Sequence, residues 1–143
     1  MMENSKNDTL LAAEPITLAR AIVSVLVEKK ALDVKLYNLG ADNPVTDCYV
    51  VATGRSSTGV AALADEVTYK IGLSGRNELR VEGRAANTWL LVDYGDVIVH
   101  IFDRESRDFY NFDRLMPAGT EVDICDVIAE IDKKYEINNI KED

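Results

Sequence analysis

Two residues that could carry chemistry fall between positions 88 and 102, where the chain has its only Trp, Trp89, and its only His, His100. Nucleophilic catalysis needs a base beside Ser, Cys or Thr, and His100 is the one imidazole available for that role. It lies in the apolar run from Val97 to Phe102, and a lone histidine in a strand is usually packed and hydrogen-bonded. We therefore expect His100 to be a structural residue rather than a catalyst.

Two aspartates form a second candidate site. Asp93 and Asp96 flank Tyr94 and Gly95 and could together hold Mg²⁺ for phosphoryl transfer. Asp is also common beside Gly in hairpin turns, and that interpretation needs no metal. We favour the turn over the metal site.

The stretch 53–57, Thr-Gly-Arg-Ser-Ser, follows a predicted strand and opens a predicted helix, so its backbone amides could cradle a phosphate. It lacks the lysine of a P-loop and the glycine spacing of a dinucleotide fingerprint, which favours a plain turn with a helix cap. Cys48 and Cys125 lie far apart, with no second cysteine or histidine near either in sequence. The sequence therefore predicts no catalytic residue, no metal site and no cofactor.

The charge balance limits the kinds of partner. The net charge is −9 and the isoelectric point is about 4.6. Such a balance argues against binding a nucleic-acid backbone, which depends on Lys and Arg. A basic partner protein fits better, although many proteins are acidic only for solubility. Residues 121–143 alone carry eight acids and three lysines, and therefore −5 of the net charge.

The length of 143 residues corresponds to a single domain. The first residues contain no apolar segment of a signal peptide and too many acids for a transit peptide. No run approaches the roughly 20 apolar residues of a membrane helix. We expect a cytoplasmic protein.

Hydrophobic spacing predicts alternating helices and strands. In chain order they are a helix from Pro15, a strand from Leu32 to Leu39, a buried central strand from Cys48 to Thr53, a helix capped by Ser56 or Ser57 and ending before Gly72, a brief strand from Arg80 to Gly83, a hairpin over 88–102, a helix from Glu105 to Met116 and a helix from Asp123. The helix from Glu105 should be capped by Asp103. Its expected apolar stripe is Phe109, Tyr110, Phe112 and Leu115.

Alternation along the hairpin separates two faces. On the first strand, one face should carry Trp89, Leu91 and Asp93 and the other Leu90, Val92 and Tyr94. On the return strand, Ile98, His100 and Phe102 should lie opposite to Val97, Val99 and Ile101. Neither face is polar throughout, so the hairpin should lie inside a sheet. Trp89 is then either core, as strand tryptophans usually are, or an exposed anchor of the kind enriched at protein interfaces.

Several ordered blocks carry a family resemblance. They are Val45 to Ser57, Ala64 to Val67, Glu82-Gly83, Trp89 to Phe102 and Glu105 to Tyr110. Over about residues 16 to 116 the chain closely resembles the ribosomal silencing factor family, RsfS or Iojap-like. The family's helix after the hairpin commonly closes with Leu-Trp, whereas this chain has Leu115-Met116.

The resemblance implies a single α/β domain with a mixed sheet flanked by helices, similar to the nucleotidyltransferase fold and without enzymatic activity. Its expected extent is residues 15–116, preceded by a flexible N-terminus, 1–14, and followed by an acidic, helical C-terminal extension, 117–143. It also implies binding to ribosomal protein fourteen of the large subunit. The bound factor would block joining of the small subunit and repress translation when nutrients are limited. Free members of the family are expected to be homodimers.

The resemblance also implies a binding surface on the hairpin. The expected ribosomal-protein-binding residues are Trp89, Leu90, Asp93, Tyr94, Asp96, His100, Asp47 and Glu82. Trp89 would be the anchor, and the acidic residues would meet basic groups of the partner. The alternative is a small nucleotide-binding protein or nucleotidyltransferase, with residues 54–57 on the phosphates and the two hairpin aspartates on Mg²⁺.

Overall fold

The computed structural model describes residues 9–142, with side chains as far as Glu136. The helices are α1 (Pro15–Glu28), α2 (Ser57–Leu73), α3 (Arg104–Tyr110) and α4 (Cys125–Glu142), with a short 3₁₀ helix at Phe112–Leu115. The strands are β1 (Leu32–Asn38), β2 (Cys48–Gly54), β3 (Arg80–Glu82), β4 (Trp89–Asp93), β5 (Val97–Asp103) and β6 (Glu121–Val122). In this part of the chain, no helix is long and apolar enough to cross a membrane.

The strands form one mixed sheet in the order β3-β4-β5-β2-β1-β6. Strands β2 and β5 are parallel neighbours, and the other pairings are antiparallel. The structure confirms the expected α/β domain with a mixed sheet. It also confirms β2 as a central strand, since Val50, Val51 and Ala52 are fully buried although they point to alternate faces.

The two faces of the sheet are covered differently. One face packs against α1, α2 and α4 in the larger core, which includes Leu26, Val50, Val67 and Ile101. The other face holds a smaller core of Tyr37, Val51, Phe102 and Phe112, contributed by the sheet and the 3₁₀ helix. The second face is therefore only partly covered.

Local sequence signals explain where the first two long helices begin. Pro15 occupies the first turn of α1, where its missing amide hydrogen costs no hydrogen bond. Ser56 caps α2, because its Oγ accepts a hydrogen bond from the amide of Gly59 at 3.0 Å. Both starts agree with the sequence prediction.

The hairpin β4–β5 has its turn at the predicted position. Trp89 lies opposite Phe102, and Asp93 lies opposite Ile98. In the turn, Gly95 has a φ of +92°, and its amide donates to Oδ1 of Asp93 at 2.7 Å. Strand β3 pairs with β4, and β2 pairs with β5, so the hairpin is interior to the sheet as expected.

The prediction of one helix from Glu105 to Met116 was wrong. Helix α3 ends at Tyr110, and Asn111 takes a left-handed conformation with φ 51° and ψ 45°, which Asn tolerates better than most residues. The predicted apolar stripe is consequently divided. Phe109 is 78% exposed and Leu115 is 71% exposed, whereas Phe112 is buried. The predicted Asp103 cap is present, with the Ser106 amide donating to it at 2.8 Å.

The segment after Pro117 joins the sheet and the helical layer. Strand β6 pairs with β1, which the sequence had not predicted. Helix α4 packs on α1, where Lys134 contacts Glu28 at 2.8 Å. Of the expected flexible start, residues 1–8 lie outside the described residues, whereas Leu10 is buried and its amide donates to the carbonyl of Ser74 at 2.9 Å.

Candidate interaction site

Trp89 is held in place from two sides at the start of β4. Its ring stacks on Phe102 with centroids 4.9 Å apart and lies 4.7 Å from the ring of Tyr110. Its Nε1–H donates to Nδ1 of His100 at 3.0 Å. The indole is half-buried, so one part of it is fixed and another part faces solvent.

His100 lies at the centre of what we call the Trp89 cluster, which consists of Tyr49, Trp89, His100, Phe102, Tyr110 and Phe112. Its ring centroid is 4.3 Å from that of Phe112 and 5.0 Å from that of Tyr49. Burial disfavours the imidazolium and lowers the pKa of His100 to about 4. The neutral ring accepts at Nδ1 and therefore carries its proton on Nε2, which is buried without a partner among the described residues. This is a packing role, as the sequence predicted.

A strip of half-exposed and exposed side chains continues from Trp89 across two strands. Leu91 and Asp93 are partly buried on β4, and Glu82 and Arg80 lie directly opposite them on β3. Arg80 bridges the two acids, at 3.1 Å from Asp93 and 3.0 Å from Glu82. We call Trp89 and these four residues the β3–β4 face. It is the part of the second sheet face that remains accessible around Trp89.

Three residues expected to bind the partner are buried instead. Leu90 and Tyr94 point to the opposite, helix-covered face and are 0% and 2% exposed, while His100 is 5% exposed. Burial also raises the pKa of the Tyr94 hydroxyl. The reason is the two-residue period of the strand, which directs Leu90 and Tyr94 away from the Trp89 side. Their side chains can support a binding surface but cannot form one.

The remaining acids lie at the far end of the hairpin. Asp96 forms an ion pair with Arg76 at 2.6 Å. The amides of Asp47 and Cys48 both donate to the Asp96 carbonyl at 3.1 Å, which fixes the start of β2 against the turn. The structure therefore brings Asp47 and Asp96 together but leaves Trp89 at the other end of β4.

The structure does not bring the carboxylates of Asp93 and Asp96 together as a metal site would require. Asp93 and Asp96 each bind a different arginine, so their carboxylates do not converge on one point. The described residues contain no group of three or more His, Cys, Asp or Glu able to hold a metal ion. A Cβ on Gly54 would lie 2.8 Å from the backbone nitrogen of Val60, so the close approach of α2 explains that glycine.

Sequence reasoning missed a buried ionic group behind the cluster. Arg107 donates to both oxygens of Asp113, at 2.8 and 3.0 Å, and to Oγ1 of Thr53 at 2.8 Å. The Tyr37 hydroxyl donates to the same carboxylate at 2.6 Å. Burial alone would raise the pKa of Asp113, but the hydrogen bonds from Arg107 and Tyr37 outweigh it and hold the pKa below its ordinary value.

This ionic group anchors the 3₁₀ helix that carries Phe112 into the Trp89 cluster. A signal for it was present in the sequence, since Asn111, a residue that favours left-handed turns, separates Arg107 from Asp113. Helical spacing alone did not reveal that the two charges meet.

Comparison with known proteins shows to which family this chain belongs. Residues 12–143 match the family model described as "Ribosomal silencing factor during starvation". The chain belongs to the ribosomal silencing factor family. Members of this family regulate ribosomes and are not enzymes. The match includes residues 117–143 and is therefore wider than the resemblance found over residues 16–116.

Individual relatives agree with this assignment. The chain is 34% identical to the ribosomal silencing factor RsfS of Zymomonas mobilis over 118 residues, which cover 82% of this chain and 87% of the relative. It is 30% identical to RsfS of Halalkalibacterium halodurans, covering 78% and 96%. A crystal structure of a protein from Chromobacterium violaceum has a TM-score of 0.69 and 30% identity, covering 73% of this chain and 87% of that one.

Proposed function

We propose that this protein binds ribosomal protein fourteen of the large ribosomal subunit through the β3–β4 face, blocks joining of the small subunit and so represses translation under nutrient limitation. Membership of the ribosomal silencing factor family supports the ribosomal target. The observation that carries the choice of surface is Trp89, which is half-exposed yet held by His100 and Phe102.

A pre-positioned indole is a suitable anchor. Large aromatic side chains dominate many interfaces because they bury much area with few rotatable bonds. Trp89 has already lost much of its freedom through its hydrogen bond and stacking, so binding would cost little further side-chain entropy. The buried residues Leu90, Tyr94 and His100 would act indirectly, by keeping β4 and the indole in position.

The charges near the anchor favour a basic partner. Glu82 is exposed near Trp89, whereas the Asp93 side chain on the same face is only 13% exposed beside Arg80. Asp47 and Asp96 continue the acidic character towards the turn of the hairpin. Such charges would mainly accelerate association and set its register. Arg80 neutralises part of this charge, so we expect Trp89 to contribute more affinity than any single acid.

Binding to purified large subunits tests the proposal. We expect the wild-type protein to cosediment with large subunits and to inhibit their joining to small subunits. Trp89→Ala should weaken binding at least tenfold, and Glu82→Lys should weaken it severalfold by placing a cation before a basic partner. Glu130→Lys makes the same charge change on exposed α4 and should leave binding unchanged.

Two outcomes would contradict parts of the proposal. Failure of the folded wild-type protein to bind would refute the ribosomal function. Equal binding by wild type and Trp89→Ala would refute the choice of the β3–β4 face as the binding surface.

Free protein should sediment as a homodimer. If dimer formation uses the same face, Trp89→Ala should weaken the dimer together with ribosome binding.

The alternative is a nucleotide-binding protein, and the likeness to the nucleotidyltransferase fold stays a prediction. Both Asp93 and Asp96 are engaged by arginines, and Ser56 is used as a helix cap. Calorimetric titration with nucleoside triphosphate and Mg²⁺ at millimolar concentration should therefore give no saturable heat. A saturable signal would favour the alternative.

A further inference from the structure

The central strands have opposite charges at their two ends. Asp47 precedes β2 and Asp96 precedes β5, whereas Arg55 follows β2 and Arg104 follows β5. These strands are parallel and in register, with Gly54 beside Asp103. The aspartates therefore lie at one edge of the sheet and the arginines at the other.

Two lysines join the arginines at the same edge. Lys29 and Lys30 lead into β1, whose first residue, Leu32, pairs with Thr53 near the end of β2. The backbone carbonyl of Lys30 accepts a hydrogen bond from Nη1 of Arg55 at 2.8 Å. We call Lys29, Lys30, Arg55 and Arg104 the basic end; all four are exposed.

The cations of the basic end form no ion pairs with the described side chains, although the ring of Tyr135 lies 5.1 Å from Nζ of Lys30. Among the described side chains, no carboxylate lies within 4.0 Å of any of the four. The nearby acid Asp103 is occupied as the cap of α3, and Asp33 contacts buried Arg107 at 3.5 Å. At the opposite edge, by contrast, Arg76 and Arg80 are paired with Asp96 and Asp93.

We infer that the basic end binds the phosphate backbone of ribosomal RNA, an inference that rests on the proposed function and names a second partner for it. Unpaired, exposed lysines and arginines gain affinity for RNA by releasing the counterions condensed on phosphates. The four cations extend over β5, β2 and β1, which are spaced about 4.8 Å apart. That spread suits several phosphates of one chain.

The shape of this edge favours a polymer over a small ligand. It has two open depressions of about 210 and 350 Å³ that meet at Thr53. The first is lined by Lys29, Lys30 and Arg55, and the second by Arg104 and Arg107 together with Asp33 and Asp108. The net charge of −9 conceals this local grouping of cations. The acidic helix α4 reaches the same edge through Tyr135, whose ring contacts Lys30.

The basic end also adjoins the proposed protein-binding surface. Trp89 pairs with Phe102 near the end of β5, and the amide of Asp103 donates to the carbonyl of Thr88 at 3.0 Å. A composite surface of ribosomal protein and RNA could therefore meet the β3–β4 face and the basic end together.

The salt dependence of binding to purified large subunits tests the inference. The variant Arg55→Gln/Arg104→Gln should reduce the slope of log Kd against log salt by about 0.7 to 0.9 for each phosphate contact removed. The control Arg20→Gln/Lys35→Gln removes the same charge from cations that are already paired with acids, and its slope should match that of the wild type. A wild-type slope in the first variant would overturn the inference.

Two further measurements separate this inference from the proposed function. Trp89→Ala should weaken binding at every salt concentration without changing the slope, so loss of affinity and loss of slope report different surfaces. Free large-subunit RNA should bind wild type and the control better than the Arg55/Arg104 variant; equal binding of all three would overturn the RNA contact. Saturable binding of inorganic phosphate that the variant lacks would identify a small-anion site and would also overturn it.

Discussion

The indole nitrogen of Trp89 lies 3.0 Å from Nδ1 of His100, so the chain's only Trp and only His form one hydrogen-bonded pair across β4 and β5. The donor is the Nε1–H of the indole, which requires the facing imidazole nitrogen to be unprotonated. Burial keeps His100 neutral, and the contact limits the freedom of Trp89. The stability of the domain and the position of its proposed anchor therefore depend on the same residue.

The stability of the protein should depend on pH through His100. Its pKa is about 4 in the fold and about 6.5 in an unfolded chain, so the unfolded state binds more protons between these values. The free energy of unfolding should then be nearly constant above about pH 7.5 and fall by roughly 2 kcal/mol on acidification to pH 5. Urea unfolding at pH 7, 6 and 5 measures this loss.

His100→Gln supplies the control for the pH effect. The chain has no other histidine, so this variant should lose much less stability than the wild type over the same range. Parallel pH profiles for the two proteins would show that His100 is not buried in neutral form.

Arg107→Lys should be strongly destabilising. Lysine keeps the charge but cannot reproduce the bidentate contact with Asp113 together with the bond to Thr53, and leaving such groups without hydrogen bonds costs about 1 to 3 kcal/mol. The matched change Arg20→Lys, in an exposed pair with Asp126, should cost less than about 1 kcal/mol. Denaturant unfolding compares the two, and similar losses would contradict the assigned role of Arg107.

Two neighbouring phenylalanines should respond differently to truncation. Phe112→Ala removes a ring that is 8% exposed and packs on His100, and we expect a loss of about 3 kcal/mol or more. Phe109→Ala removes a ring that is 78% exposed, so unfolding free energy should change by about 0.5 kcal/mol or less. Comparable losses would instead support a continuous helix through both residues.

Gly83 should tolerate substitution less well than Gly40. Both have a positive φ, +97° and +94°, which costs a non-glycine residue about 1 to 2 kcal/mol. At Gly83 an added Cβ would also collide with the carbonyl oxygen of Trp89, whereas nothing lies within 4 Å at Gly40. Gly83→Ala should therefore lose roughly 1 to 3 kcal/mol more than Gly40→Ala in urea unfolding. The intrinsic fluorescence of Trp89 should change only in the Gly83 variant.

Local sequence patterns determined much of the fold. The alternation correctly separated Trp89 from Leu90 in β4 and Phe102 from Ile101 in β5, because a strand directs successive side chains to opposite faces. The Asp103 cap of α3 was also predictable, since it depends on atoms only three residues apart.

Tertiary structure decided the features that depend on residues far apart in the chain. Arg107 meets Thr53 and Asp33 across 54 and 74 positions, and those contacts, with the turn at Asn111, divide what helical spacing had predicted to be one helix.

The proposed binding surfaces also depend partly on local sequence and partly on tertiary structure. The sequence by itself identified Trp89 as either core or anchor, and it determined the total charge. Packing against Phe102, Tyr110 and His100 left the indole half-buried, and the parallel alignment of β2 with β5 gathered Arg55 and Arg104 at one edge. Composition and short-range spacing cannot contain this information, because exposure and local charge depend on which distant segments the folded chain brings together.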